Sequence, residues 1–531
     1  MDPVGQLHSA VQAAATELRG DGLVDLPPLE RPPKADFGDY STNAAMLLAP
    51  ALGEPPRAIA ERLGEALGTR LGAAVERVEV AGPGFLNLFM ADAWYVEALS
   101  GALAAGDGYG AGAPERAERV LVEFVSANPT GPLTVASGRH AAYGDSLCRL
   151  LELAGHEVER EYYVNDYGSQ VRLFGESIRA RACGEDPPEG GYQGDYVTEL
   201  AARIDGAAEA DPDELARQGI ELVLEGVRTT LDRFRVRIDR FLSEHSLHQE
   251  GRLRQALDLL EEREHVYPQE GAVWLRTTSF GDDKDRVLMR SSGDMTYFAT
   301  DIAYHGHKLE RGYDRVIDVF GADHHGYVRR MEAMWQMLGG DPGGLEIVIM
   351  QLVNLMEGGQ RAQMSKRQGT IVPLDELIDD IGVDAARYFL LQRNHDTTID
   401  LDLELARRDT QDNPVYYLQY AHARIASILR KAGREEAGEP RIGEELHPSE
   451  RALIKKLLEF PTEVQDAAER RAPHRIATYL HEASQDFSAF YRDCKVIGAP
   501  SEEFRIGLCV TTKRVLARGL DLLGVEAPQE M

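Results

Sequence analysis

From Val120 to about Arg393, strand-length apolar runs alternate with amphipathic helical patterns, and no other feature limits the possible folds as much. The strand candidates are 120–125, 315–321 (RVIDVFG) and 346–355 (EIVIMQLVNL); among the helical patterns between them, Ala141–Ala154 places Cys148, Leu151 and Ala154 on one face. Strands alternating with helices imply a parallel, doubly wound, Rossmann-like sheet. This domain is expected over 111–408, with a helix-rich insertion at about 170–290.

The flanking segments read differently. Residues 1–110 form a small α/β module, with helical patterns at Leu7–Leu18 and Ala58–Leu67 and two short strands around Gly82-Pro83-Gly84. Residues 409–531 read as nearly all helix; Asn413 before Pro414 is a helix start and Gly433 a helix stop. No run of about 18 apolar residues suggests a membrane span, and the N-terminus has no basic region followed by an apolar block, so a cytoplasmic protein is expected. The cysteines Cys148, Cys183, Cys494 and Cys509 are scattered without a CxxC pair, which argues against a thiolate metal site or a disulfide framework. The net charge of −30 disfavours a polyanionic partner at long range, although most of the basic residues are arginines and a local arginine patch can still hold RNA.

Four stretches carry chemistry. The first, NPTGPLTVASGRHAAYGD (128–145), follows the strand 120–125; its turn (Asn128, Pro129, Thr130, Gly131, Pro132, Leu133) and the helix start expected at Gly138 suit a phosphate. Alone, such a turn is a weak sign. The second, QMSKRQGT (363–370), sets Lys366 and Arg367 between Ser365 and Gly369, as in a loop that closes on a triphosphate. Alone it reads as a solvated basic turn, and its pairing with the first stretch reverses that. The third, FGADHHGY (320–327), places Asp323, His324 and His325 at a strand's carboxyl end, where ligands collect in open sheets. The fourth, MTYFATDIAYH (295–305), spaces Tyr297 and Asp301 one helical turn apart, an aromatic plane and a carboxylate suited to a guanidinium. An ordinary solvated Asp is an equal alternative there.

In order and spacing these motifs, together with DFGDYSTN, VAGPGFLN, YYVNDYGSQ, GVDAARYF and NPVYYLQYAHARI, resemble the arginyl-tRNA synthetases essentially end to end. The resemblance implies an N-terminal tRNA-contacting domain, a class I catalytic domain and a C-terminal anticodon-binding domain. It implies adenylation of arginine by ATP with Mg2+, then transfer to the 3′-terminal ribose of its tRNA, by a monomer. Glu123, Asn128, Tyr297 and Asp301 would form the arginine pocket, and Asp323 and His324 would lie near the adenosine. Lys366, with Met364, Ser365 and Arg367, would stabilise the leaving pyrophosphate. Phe37, Asp39, Tyr40 and Asn43 would meet tRNA, as would Tyr416 and Tyr420, while Tyr417 reads as core.

One departure stands out. Class I synthetases carry two histidines, separated by two residues, on the ATP phosphates; Thr134 and Ser137 occupy those places, and Gln363 replaces the usual leading lysine of the second loop. Hydroxyls donate hydrogen bonds but carry no charge. His140, one turn further on, is a candidate substitute. Retention of every other motif favours a working enzyme over a retired tRNA-binding paralogue.

Overall fold

A computed structural model describes residues 3–20, 22, 24–32, 34–362 and 372–531. In the N-terminal module, α1 (Pro3–Arg19) buries Leu7, Val11, Ala14 and Ala15 along one stripe. β1 (Tyr40–Thr42), α2 (Ala44–Leu52) and α3 (Pro56–Leu71) follow, then β2 (Val75–Ala81) and β3 (Phe85–Met90). The last two strands pair antiparallel around the Gly-Pro-Gly turn, as expected, and β1 pairs with β3 on its other side. α4 (Asp92–Ala105) leads out of the module.

The central domain is built on a parallel sheet. β4 (Arg119–Glu123), α5 (Val135–Leu153) and β5 (Glu157–Val164) make its first crossover. α6 (Ser169–Ala182), α7 (Asp195–Arg203) and α8 (Pro212–Arg233) lead to β6 (Arg240–Ser243), after which come α9 (Glu244–Gln249) and α10 (Arg252–Glu262). β7 (Val266–Gln269), β8 (Ala272–Leu275) and β9 (Arg286–Met289) form a small antiparallel sheet. α11 (Tyr297–Glu310), β10 (Arg315–Gly321), α12 (Val328–Met337) and β11 (Leu345–Met350) complete the main sheet, whose order is β11-β10-β4-β5-β6 with every pair parallel. The chain winds outward from β4 to β6 and returns at β10 beside β4, so a crevice opens between their carboxyl ends.

Two expectations need correction. The segment at about 170–290, read as a helix-rich insertion, is rich in helix but also supplies strands: β6 is an edge strand of the main sheet, and β7–β9 form a sheet of their own. The run 346–355 is two strands. The guanidinium of Arg139 on α5 draws the carbonyls of Gln351 (2.7 Å) and Leu352 (3.2 Å) out of line, and β12 (Val353–Glu357) starts a separate sheet with β13 (Gln360–Arg361). α13 (Leu374–Leu391), β14 (Ile399–Asp402), which pairs parallel with β12, and α14 (Leu403–Ala406) end the domain.

α15 (Pro414–Ala432), α16 (Pro448–Glu469), α17 (His474–Asp493) and α18 (Glu502–Leu522) form the C-terminal bundle. Asn413 caps α15 by accepting the Val415 N–H at 3.0 Å, and Gly433 ends it in the left-handed region at φ 66°. One apolar core runs from the N-terminal module through the sheet into this bundle, and a second lies beneath α10, α11 and α12. Arg387 rivets bundle to sheet domain, donating to the Leu523 carbonyl (2.7 Å), the Phe234 carbonyl (2.9 Å) and Asp145 (2.7 Å).

Candidate active site

Beyond β4 the backbone enters positive φ at Val125 (70°) and Ser126 (38°), neither of them glycine. Such a conformation costs a branched residue on the order of 1–3 kcal/mol and persists only where neighbours enforce it. Here the Ser126 hydroxyl donates to Glu123 (2.9 Å) and accepts the Tyr163 N–H (3.0 Å), while the Tyr162 hydroxyl donates to the Ala127 carbonyl (2.7 Å). Gly144 on α5 leaves room for the Phe124 ring, which a Cβ there would approach to 2.1 Å. Asn128 and Pro132 are exposed, Gly131 is half-buried, and Pro129, Thr130 and Leu133 are buried.

α5 starts at Val135, a turn earlier than the Gly138 start read from the sequence. Thr134 is its cap: its hydroxyl accepts the Ser137 N–H at 3.3 Å and lies 3.2 Å from the Ser137 hydroxyl. The Gly138 N–H donates to the Thr134 carbonyl at 2.8 Å, so it belongs to the helix ladder and does not face the turn. Gly138 is small for another reason: a Cβ there would stand 2.5 Å from Leu374 of α13.

The same turn is stitched to the second stretch. Leu374 N–H donates to the Leu133 carbonyl (2.8 Å) and Val135 N–H to the Val372 carbonyl (3.0 Å). Gln363, Met364, Ser365, Lys366 and Arg367 lie outside the described residues, but the chain leaving them at Val372 is held on the turn that caps α5. Across the crevice, the ring of His140 lies 3.9 Å from where a side chain at Gly321 would begin. Burial, with Arg139 beside it, pushes the His140 pKa down to about 4, so near neutral pH it offers a hydrogen bond and no charge. The 3-10 turn Ala322–Tyr327 follows β10, with Asp323 exposed and His324, 3.4 Å from it, set between the rings of Phe320 and Tyr327. The side chain of His325 is outside the described residues.

Beside this lies a cluster of carboxylates. Lys308, fully buried on α11, donates to Glu123 (2.6 Å) and Asp318 (2.7 Å), and His305 meets Asp318 at 2.8 Å. Arg311 pairs with Glu161 at 2.5 Å. Two further carboxyls, Asp301 and Glu244, form no ion pair with a lysine or arginine among the described residues; His305 and Arg330 act on Asp301 through their charges, and Glu244 lies 3.6 Å from His248. Burial pushes Asp301 up to about 6, with the Glu123 charge adding, and pushes Glu244 up to about 7, with Asp166 and Asp301 adding. Tyr297, one turn from Asp301 at the start of α11, is 77% exposed.

Sequence reading missed Glu244 and Lys308. Glu244 follows β6, a four-residue strand too short to be recognised; Lys308 was legible as the third residue, after Asp301 and His305, on one face of α11.

The RNA-facing expectations divide by burial. Phe37 is exposed and Asn43 half-buried. Asp39 is 8% exposed and Tyr40 5%: Asp39 accepts from Lys455 of α16 and the Met90 N–H (both 2.8 Å), and Tyr40 packs edge-on against Trp94. Their side chains are spent on packing and are not presented to a tRNA. On the bundle, Tyr416 and Tyr420 stack at 6.1 Å, and the Arg424 guanidinium lies over Tyr420 and Tyr491. A cavity of about 280 Å³ opens among Gln411, Tyr417, Tyr420, Arg424 and Tyr491. Tyr417 is half-buried and lines that cavity besides packing on the core.

Three family descriptions match: "Arginyl tRNA synthetase N terminal domain" over 5–90, "tRNA synthetases class I (R), catalytic domain" over 98–182 and 204–425, and "DALR anticodon binding domain" over 418–531. The chain is 45% identical to an arginine–tRNA ligase of Frankia alni, covering 99% of both chains. It is 41% identical to one of Oceanobacillus iheyensis, covering 99% of this chain and 98% of that one. In structure it is similar to the arginyl-tRNA synthetase of Thermus thermophilus, with a TM-score of 0.79 at 27% identity over 99% of this chain and 100% of that one. The Plasmodium falciparum enzyme, at 19% identity and TM-score 0.77 over 99% of each chain, shares the fold.

Proposed function

The chain belongs to the arginyl-tRNA synthetases and is an arginine–tRNA ligase, and from that premise we propose how its residues divide the reaction. The arginine carboxylate attacks the α-phosphorus of ATP, pyrophosphate leaves, and the 3′-terminal ribose hydroxyl of the tRNA then takes the arginyl group, releasing AMP. Asp301 and Glu244 take the guanidinium, and Glu123, Asn128 and Tyr297 complete the pocket. What carries this reading is that these two recessed carboxyls form no ion pair with a lysine or arginine among the described residues and keep raised pKa values despite the nearby Arg330 charge, while Glu123, Glu161 and Asp318 around them are each paired with one. A substrate cation completes the charge balance.

ATP lies along the turn Asn128–Leu133, with its adenosine toward Asp323 and His324. Thr134, Ser137 and neutral His140 donate hydrogen bonds there, and Lys366, with Met364, Ser365 and Arg367, supplies positive charge to the leaving pyrophosphate. Mg2+ enters on the triphosphate. Among the described residues no three His, Cys, Asp or Glu side chains gather to hold an ion of their own. Phe37 and Asn43 at one end, and Tyr416, Tyr420 and Arg424 at the other, meet the tRNA. We place the boundaries at 1–110, 111–408 and 409–531 and the protein, as a monomer, in the cytoplasm; among the described residues no helix is long and apolar enough to cross a membrane.

Arginine attachment to tRNA, with pyrophosphate exchange measured with and without tRNA, tests the assignment. Asp301→Asn is expected to lower kcat/KM for arginine about 100-fold or more and leave the KM for ATP unchanged. Equal arginine kinetics in the variant would remove Asp301 from the pocket.

A further inference from the structure

The motif DFGDYSTN gives Phe37 and Asn43 to the tRNA in the reading above, yet its buried Asp39 reaches the C-terminal bundle. One carboxylate oxygen accepts the Met90 N–H of its own module and the other accepts from Lys455 of α16, both at 2.8 Å. Two more ion pairs end on the same helix: Asp92 of α4 with Arg451 at 2.6 Å, and Arg31 with Glu459 at 3.0 Å. Arg451, Lys455 and Glu459 follow at four-residue steps, so they form one stripe, each about 6 Å from the next along the helix. The order of charges fits one register. Slid by one step, α16 would set Glu459 against Asp39 in one direction and Lys455 against Arg31 in the other, like charges both times. The apolar contacts beside the stripe, such as Leu99 and Leu103 of α4 against Gly507 of α18, are non-directional and do little to choose among such positions. The bundle carries the position onward. The Tyr479 hydroxyl of α17 donates to the Lys456 carbonyl at 2.8 Å, and Ser488 of α17 lies 3.1 Å from the Tyr417 hydroxyl of α15, on the helix that bears Tyr416 and Tyr420.

We propose that the stripe Arg451, Lys455 and Glu459 is a register lock that holds the two tRNA-contacting ends of the protein at a fixed span, with Asp39 and Lys455 as positioning residues for the tRNA. The inference rests on the function proposed above, in which Phe37 and Asn43 at one end and Tyr416, Tyr420 and Arg424 at the other meet one tRNA. An RNA of fixed shape gains from its second contact only where the span between the sites fits. That contact is then intramolecular, and affinity rises without any new bond. A module displaced by one step of the stripe, about 6 Å, would forfeit the gain. Asp39 is four residues or fewer from both Phe37 and Asn43, and the backbone between is held: the Asp39 N–H donates to the Leu88 carbonyl at 2.8 Å, and a Cβ at Gly38 would stand 2.7 Å from the same oxygen. A displacement at Lys455 therefore passes to the tRNA-facing loop.

The test uses the full chain with whole tRNA and with the isolated anticodon stem–loop, which reaches only the bundle. Lys455→Glu, which sets a carboxylate against Asp39, should weaken binding of whole tRNA about 10-fold or more. The KM for tRNA should rise to match, while kcat at saturating tRNA and the KM for arginine hold. Its affinity for the stem–loop should equal that of the unmodified protein. Lys455→Arg, which keeps the charge, should bind both RNAs as the unmodified protein does. Equal losses for the stem–loop and whole tRNA would mark a damaged bundle, and undiminished whole-tRNA affinity in Lys455→Glu would mark a span set without the pair; either result overturns the lock. Phe37→Ala combined with Asn43→Ala tests the reading beneath it. Unchanged whole-tRNA affinity in that double variant would remove the N-terminal module from the tRNA and overturn that reading instead.

Discussion

Arginine binding should release protons, and its affinity should fall about 20-fold as pH drops from 8 to 6. The argument begins with burial. Asp301 and Glu244 are recessed beside other carboxylates and carry pKa values raised to about 6 and about 7 before substrate arrives. A guanidinium seated between them favours the ionised forms, so binding is tightest where both are already ionised. At pH 8 that describes roughly nine molecules in ten. At pH 6 about one Glu244 in eleven and one Asp301 in two are ionised, together about one molecule in twenty. The difference is worth about 1.8 kcal/mol of binding free energy. For the free protein the sign is reversed: carboxyls with raised pKa favour the fold at low pH and lose that contribution as pH rises through 6 and 7, so arginine should raise the melting temperature more at pH 8 than at pH 6. Calorimetric titration with arginine, with tRNA present and in two buffers of different ionisation enthalpy, reads the protons directly. About one should be released near pH 6.5, fewer in Asp301→Asn. An affinity flat from pH 6 to pH 8 with no buffer dependence would show that both carboxylates are ionised beforehand, and the burial argument would be wrong.

Lys308→Met should destabilise the fold by about 3–5 kcal/mol in urea titrations, because it takes the one buried ammonium from both Glu123 and Asp318, leaving Glu123 to the Ser126 hydroxyl and Asp318 to His305. Gly138→Ala should cost about 1–3 kcal/mol by pushing a methyl into Leu374, and should lower pyrophosphate exchange with it; a neutral outcome would mean α13 yields freely. Thr134→Ala should remove about 1 kcal/mol of helix capping. Installing histidines at both Thr134 and Ser137 should instead raise the adenylation rate about 10-fold or more, and no gain would show that the hydroxyls and the backbone already suffice. Arg424→Ala should weaken tRNA binding without changing arginine binding; the slope of log affinity against log salt should drop by about one if the guanidinium meets a phosphate, and hold if it meets a base.

Local chemistry was legible in the sequence, and what depended on distant partners was not. The Asn413 cap and the Gly433 stop were readable because each acts on its own helix end. The strand 315–321 was readable because β10 is an interior strand of the sheet, and Val316, Ile317, Val319 and Phe320 make an apolar run on both sides of Asp318. The break at Gln351 was not, since it is made by Arg139, more than 200 residues away in sequence. Gly138 looked like a phosphate turn, and its reason turned out to be Leu374 on another helix. Asp39 and Tyr40 sit in a polar-looking motif, but Lys455 and Trp94, which bury them, stand far along the chain. Among the carboxylates the i, i+4 spacing put Asp301 and His305 on one face of α11, while Glu244 arrives from a strand that four residues barely announce.

The paired hydrogen bonds between Leu133–Val135 and Val372–Leu374 record the position of the signature turn in the main chain and leave side chains out of it. A site registered in this way tolerates exchange of letters and resists change of length. Thr134 and Ser137 can stand where the family resemblance calls for histidines because the ladder that aligns the turn with Val372–Leu374 never asks which side chain is there. A single residue inserted or deleted between Thr370 and Leu374 would shift that register and should damage the site more than any one substitution within TVAS.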